Sequence, residues 1–306
     1  MLKTEVSKIA SLTGHADCIY SLEKSMHDNQ FFSSSGDGMV VQWNLNDLEN
    51  GMLLAKVPNS VYALHLLQQE NLLVIGQNFE GIHLIDLETR QEVASVKITS
   101  SYIFDIKSTD GHIYIGTGDG HLIVLEKQTL NVVHKIRLSD KSIRAIAIDP
   151  NRQIAAIASS DNHLRIFSLA KREIIYTVPA HDNSIFTVAF SPDFKYLLSG
   201  GRDARLKAWD CNQGFVLAHE IVAHMFALNH IAYSPDGKYF ATCSMDKSVK
   251  IWDSNQFRLL KVIDRARHTG HATSVNRLLW SSWNDSLLSA GDDRLISVWN
   301  LTFKLE

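Results

Sequence analysis

Residues 197–210 read LLSGGRDARLKAWD, and the same pattern returns without gaps as FFSSSGDGMVVQWN at 31–44, FATCSMDKSVKIWD at 240–253 and LLSAGDDRLISVWN at 287–300. Three looser copies fill the stretch between the first two in chain order: LVIGQNFEGIHLID (73–86), IYIGTGDGHLIVLE (113–126) and AAIASSDNHLRIFS (155–168). The Asp position falls at Asp37, Asp119, Asp161, Asp203, Asp246 and Asp293, with Phe79 in its place in the second copy. The steps between copies are therefore 42, 40, 42, 42, 43 and 47 residues. Self-similarity at one narrow period marks stacked supersecondary units.

Each unit reads as four short strands. The quoted segments are two strands around a tight turn, with alternating apolar positions such as Leu206 and Ala208 or Val249 and Ile251. A strand ending in a turn precedes each, as in IFTVAFSPDFK (185–195) and LNHIAYSPDGK (228–238), where Ser-Pro-Asp marks the turn. A fourth strand follows, as in EVASV, IIYTV and LLKVI. One four-stranded sheet cannot bury both its faces. Seven arranged around an axis bury them against each other and leave only short edges. The last unit lacks a fourth strand, while SKIASL (7–12) at the start is a spare strand of that type. The expectation is an all-β ring of seven antiparallel blades, residues 1–306 as one domain, closed by a strand at about 7–12 that completes the seventh blade.

Composition narrows the function classes. The chain has 306 residues, is 45% hydrophobic and carries 30 Lys+Arg against 33 Asp+Glu, a net charge of −3. That excludes a disordered chain and argues against a protein built to neutralise phosphates, so no nucleic acid is expected as partner. Three scattered cysteines (Cys18, Cys211, Cys243) do not make a disulfide framework and fit a reducing compartment. The first fifteen residues, MLKTEVSKIASLTGH, have no secretory apolar core, and no run reaches the length of a membrane span. A cytoplasmic chain without a membrane partner, a monomer by itself, is expected.

These repeats resemble the WD-repeat β-propellers along the whole chain. Gly14-His15 and Gly270-His271 match the Gly-His signature, and Ala180-His181 and Ala223-His224 come close. Trp209-Asp210 and Trp252-Asp253 match the Trp-Asp signature, with Trp43-Asn44 and Trp299-Asn300 as near matches. Counting from each His, a Ser or Thr lies 18 residues on, an Asp 22 on and a Trp 28 on, in four sets: His15/Ser33/Asp37/Trp43, His181/Ser199/Asp203/Trp209, His224/Thr242/Asp246/Trp252 and His271/Ser289/Asp293/Trp299. The resemblance implies a buried hydrogen-bonded tetrad from Trp through hydroxyl and His to Asp. The three central units hold Val57, Thr99 and Ser139 at the His place, Ile75, Ile115 and Ile157 at the hydroxyl, and Ile85, Leu125 and Phe167 at the Trp. The network is whole or replaced by apolar packing, since a half-satisfied buried network is worse than none. The second unit, without its Asp, is expected to depart most in turn geometry.

Ser, His and Asp at fixed spacing also invite a hydrolase reading. Four copies in register with a Trp argue for a structural role, and no Gly-x-Ser-x-Gly elbow exposes a serine. His268 and His271 have a metal-like spacing, but His271 belongs to a tetrad and no Cys lies near. The glycines at 116, 118 and 120 sit in a β-turn with no helix behind them, so they make no phosphate cradle. No enzyme activity, metal or cofactor is expected.

The resemblance further implies that partners bind the face carrying the Asp turns, around the central opening. By position, the residues five after the His place are Tyr20, Tyr62, Arg144, Phe186, Asn229 and Asn276, with Phe104 from the shifted third unit and Tyr102 just before it. The positions before the Asp add Arg202, Met245 and Asp292. Aromatic residues and Arg dominate binding hot spots, and the same side chains also suit inner packing of the channel. The aromatic arc falls on blades 1–3 and 5, and a polar arc of Asn229, Asn276 and Asp292 on blades 6–7. One longer connection, DRARHTG (264–270), reads as a loop whose Arg265, Arg267 and His268 make a basic rim. The function expected is a non-enzymatic scaffold for a protein or peptide with an aromatic or apolar anchor and an acidic flank. A hydrolase-like enzyme sited in the channel and a structural subunit of a larger complex are the alternatives.

Overall fold

A computed structural model describes residues 2–305, with side chains from Lys3 to Lys304. Seven four-stranded antiparallel sheets follow one another along the chain. In blade 1 the strands, from the axis outward, are Ile19–Lys24, Gln30–Ser35, Met39–Asn44 and Asp47–Lys56. Blades 2 to 6 begin at Val61, Ile103, Ile143, Ile185 and Leu228. In blade 7 the strands Val275–Trp280, Leu287–Gly291 and Ile296–Leu305 are completed by the N-terminal strand Leu2–Leu12. Each innermost strand lies beside the next, and that of blade 7 lies beside that of blade 1. The ring is closed.

The closing strand is longer than the 7–12 expected from its apolar pattern. It pairs from Leu2 opposite Leu305 to Leu12 opposite Ile296, with a bulge between Lys8 and Ala10. Its first half, KTEVS, carries charge at alternate positions, so its apolar content is too low to read as a strand. Partnering decides it, through the main chain and ion pairs such as Lys304 Nζ to Glu5 at 2.7 Å.

Apolar residues gather in seven clusters, one for each seam between neighbouring blades. Close approach at the seams needs small residues on the second strand. A Cβ at Gly116 would meet Ile143 Cγ2 at 2.7 Å, and one at Gly200 would meet Leu228 Cδ2 at 2.6 Å. Three serines in the loops before innermost strands serve the seams. Ser60 donates to the carbonyl of Gly36, Ser142 to that of Gly118 and Ser184 to that of Ser160, at 3.0–3.2 Å, each tying one blade to the one before it.

All seven innermost strands carry the same irregularity. Their pairing with the second strand slips between Ile19 and Ser21, Val61 and Ala63, Ile103 and Asp105, Ile143 and Ala145, Ile185 and Thr187, Leu228 and His230, and Val275 and Arg277. A β-bulge leaves one residue unpaired and re-aims its side chain. The bulged residues are Tyr20, Tyr62, Phe104, Arg144, Phe186, Asn229 and Asn276, so one backbone device repeated seven times presents a ring of side chains at the axis.

Candidate functional site

The four tetrads close as hydrogen-bonded chains. In blade 5 the indole of Trp209 donates to Ser199 Oγ at 2.9 Å, that hydroxyl lies 2.8 Å from His181 Nε2, and His181 Nδ1 lies 2.9 Å from Asp203. Blades 6 and 7 repeat this through His224/Thr242/Asp246/Trp252 and His271/Ser289/Asp293/Trp299 within 2.8–2.9 Å. In blade 1 Trp43 donates to Ser33 Oγ at 2.8 Å and that hydroxyl lies 2.7 Å from His15 Nε2. Its last link, His15 to Asp37, is looser at 3.3 Å. The assignment that satisfies every group has the indole donating to the hydroxyl, the hydroxyl to His Nε2 and Nδ1–H to the carboxylate. Burial opposes the charge on all four carboxyls, but hydrogen bonds from the histidine and neighbouring main-chain N–H groups outweigh it and hold them below their ordinary value.

The hydrolase reading that this spacing invites fails on its nucleophile. Ser33, Ser199, Thr242 and Ser289 are 0% exposed, each held between an indole and an imidazole on the second strand of its blade. No hydroxyl of the four is free to attack, and no substrate or partner reaches one. They are internal structural groups and not part of a recognition surface.

The blades without a tetrad keep the apolar half and replace the polar half, which apolar packing alone had been expected to do. Ile75, Ile115 and Ile157 are fully buried. Asp119 instead accepts from Thr117 at 2.6 Å and faces His121 Nδ1 at 3.1 Å, while Asp161 takes a two-point contact from Arg165. Blade 2 builds another turn. There Phe79 itself carries the positive φ of 65°, whereas elsewhere it falls on the residue after the Asp, such as Gly38 or Lys247.

The bulged ring and its neighbours enclose a cavity of about 360 Å³ at the axis, lined by Tyr20, Tyr62, Tyr102, Phe104, Arg144, Phe186, Asn229, Asn276 and Arg277. Every blade contributes. The rings of Tyr20 and Tyr62 lie 4.4 Å apart, and Tyr62, Tyr102 and Phe104 stack at 5.7–5.8 Å. Arg144 sits between two of the aromatics, its guanidinium carbon 4.0 Å from the centre of the Phe104 ring and 4.9 Å from that of Phe186. Burial lowers its pKa to about 10. Asn276 is spoken for, donating to the Ile19 carbonyl at 3.1 Å and to Asp292 at 2.7 Å, and Asn229 donates to Ser274 and the Val275 carbonyl. Two larger hollows on the opposite face, of about 490 and 640 Å³, are lined mainly by polar and charged residues from a few blades each.

The WD-domain, G-beta repeat profile matches residues 6–44, 130–168, 172–210, 215–253 and 264–300, more than half of the chain. The chain belongs to the WD40 family. Its fold is similar to the WD40 β-propeller domain of Doa1, known from a crystal structure, with a TM-score of 0.85 over 99% of this chain and 98% of that one, at 19% identity.

Of the residues that sequence placed on the partner face, five lie outside this WD40 cavity: Arg202, Met245, Asp292, Arg265 and Arg267. The tetrad hydroxyls Ser33, Ser199, Thr242 and Ser289 do not line it either. The longer connection holds a one-turn helix, Arg265–His268, capped by the Asp264 side chain on the N–H of Arg267. Arg267 also pairs with Asp264 at 2.6 Å and burial lowers the His268 pKa below its ordinary value, so among the described residues Arg265 alone remains of the expected basic rim.

The polar arc is confined to the inner ring. Further out on blade 6, Met225, Phe226 and Met245 are 83%, 60% and 53% exposed, on two loops joined by the Met245 N–H to the Ala227 carbonyl. Phe79, 43% exposed and 4.6 Å from Tyr102, extends the aromatic cluster outward. Its signal was the apolar residue at the one turn without Asp.

Sequence reasoning also missed the charges deeper in the channel. The structure adds Glu23, His65, Asp105, Lys107, His230 and Arg277. Asp105 is bonded to Lys107 at 2.8 Å and to the N–H of Ile146, and His65 to Ser108 at 2.8 Å. Burial, with Lys107 and Arg277 opposing it, raises Glu23 above the usual carboxyl range. Among the described residues no three His, Cys, Asp or Glu side chains are grouped to hold a metal ion, and no helix is long and apolar enough to cross a membrane.

Proposed function

We propose that this WD40 propeller is a non-enzymatic interaction scaffold that captures a protein or peptide segment at the axial mouth. WD40 propellers are in general protein-interaction scaffolds. The observation that carries the finer reading is the aromatic cavity built from one bulged residue of every blade. Large rigid rings bury area at little entropic cost, and a ring scaffold orders little backbone on binding. The whole chain acts as one unit, a monomer by itself, and meets its partner in the cytoplasm. A chain balanced at −3 has no phosphate-gripping surplus for nucleic acid.

The alternative of a channel-sited enzyme draws on Glu23 and Asp105. Asp105 is committed to Lys107 and a main-chain N–H, which favours a structural part for it. The test is affinity capture with the wild type against a Tyr62→Ala/Phe186→Ala variant of unchanged melting temperature. Partners lost only with the variant are expected. Matching partner sets from the two proteins would overturn the proposal.

A further inference from the structure

Arg144 is a cation without a counter-ion. Among the described residues, no carboxylate or carbonyl accepts a hydrogen bond from it, and no acidic group lies within ion-pair distance. Deeper in the channel Lys107 is paired with Asp105 at 2.8 Å, and Arg277 has the Glu23 carboxyl within electrostatic range. Phe104 and Phe186 lie 4.0 and 4.9 Å from the guanidinium carbon, so its close neighbours are aromatic rings and not hydrogen-bond acceptors. Its N–H donors are left without a protein acceptor beside the cavity that Arg144 lines. A guanidinium fork donates two parallel hydrogen bonds to a planar carboxylate. One unpaired positive charge matches one negative charge, and Asp292, held by Asn276 just outside the cavity, weighs against a dianion.

We infer that the segment taken by the mouth carries an aspartate or glutamate side chain, whose carboxylate docks in plane on Arg144 while an apolar or aromatic neighbour packs on Tyr20 and Tyr62. This rests on the proposed reading of the mouth as a peptide site and names the chemistry of its partner. Burial has already removed part of the guanidinium's hydration, so less further desolvation opposes the carboxylate.

The experiment selects random linear peptides displayed on phage against the wild-type protein and keeps those that bind Tyr62→Ala poorly. These peptides are expected to share an Asp or Glu. Replacing that acid by its amide, or Arg144→Gln in the protein, should weaken binding by at least about tenfold. Arg144→Lys, which keeps the charge and loses the fork, should fall between. Melting curves of both variants establish that they fold, and Arg144→Lys carries the test if Arg144→Gln does not. Peptides that depend on Tyr62 but share no acid, or that tolerate the amide, would overturn this inference and leave the mouth reading standing. So would a phosphoserine replacement that binds more tightly than the acid. Failure to recover any peptide that depends on Tyr62 would overturn both.

Discussion

Trp209 donates its indole N–H to the Ser199 hydroxyl at 2.9 Å, both groups buried. Through that one oxygen the seam between blades is joined to His181 and to the Asp203 turn. Trp209→Ala should lower stability by roughly 3–5 kcal/mol, from core truncation and a hydroxyl left with one partner. Ser199→Ala, which strands both the indole and the imidazole, should cost about 1–3 kcal/mol. Ser33, Thr242 and Ser289 hold the same place in blades 1, 6 and 7, so alanine at each should cost a similar amount and leave partner capture unchanged. Thermal and urea unfolding read these changes. A Trp209→Ala variant that melts within about 2 °C of the wild type would place the indole outside the core.

Acidification should destabilise the ring. Burial holds His15 and His224 below their ordinary 6.5 in spite of the carboxylate beside each, takes His65 to about 3 with Lys107 adding to it, and holds His230 well below 6.5. These groups are neutral when folded and bind a proton more readily when unfolded. Their contribution is therefore complete above pH 6.5 and is lost as pH falls below it toward the folded values. The lowered carboxyls of Asp37, Asp203, Asp246 and Asp293 extend the loss below their ordinary 3.8. The melting temperature should drop between about pH 7 and pH 5, and His65→Gln should flatten that slope. A level profile in the wild type would contradict the assignment of neutral buried histidines.

The ring depends on its first strand. Removing residues 1–12 leaves the edge Ile296–Leu305 without its partner. Open edges recruit other chains, and a ring missing one strand loses the coupling of its first and last blades. The truncated chain should self-associate on size exclusion and melt over a broader range. A monomer with the melting curve of the full chain would show that closure contributes little.

The rim prediction narrows to one residue. Arg265→Glu reverses the unpaired charge and should slow partner association with no change in melting, an effect that shrinks at high salt. Arg267→Glu removes an exposed pair with Asp264 and should act less on association. Equal association rates for Arg265→Glu and the wild type would take the rim out of recognition.

The repeat arithmetic was enough for the architecture, because four tetrads in register leave the Trp, hydroxyl, His and Asp one mutually satisfying arrangement. Position counting also reached the mouth, since Tyr20, Tyr62, Phe104, Arg144, Phe186, Asn229 and Asn276 occupy one place in each unit. Why that place faces the axis was not legible. The bulge beside each is a property of pairing with the second strand, and no turn residue announces it. The same bulge shifts the alternation along each inner strand, so the sequence pattern alone does not place Glu23, His65, Asp105, His230 and Arg277 in the channel. Met225 and Phe226 were hidden by the near match Ala223-His224, which directed attention to the tetrad and away from the two residues after it. The start of the closing strand was missed because its polar half is held by main-chain pairing and carries no apolar pattern.

The central claim is that a partner sits on the axial mouth. A photo-reactive benzophenone amino acid replacing Tyr62 reports contact there, and the same group replacing Ile9, 51% exposed on the outermost strand of blade 7, reports contact on the outer wall. After irradiation with the captured partner, the account predicts covalent adducts from position 62 and none from position 9. Adducts from position 9 with none from position 62 would contradict it.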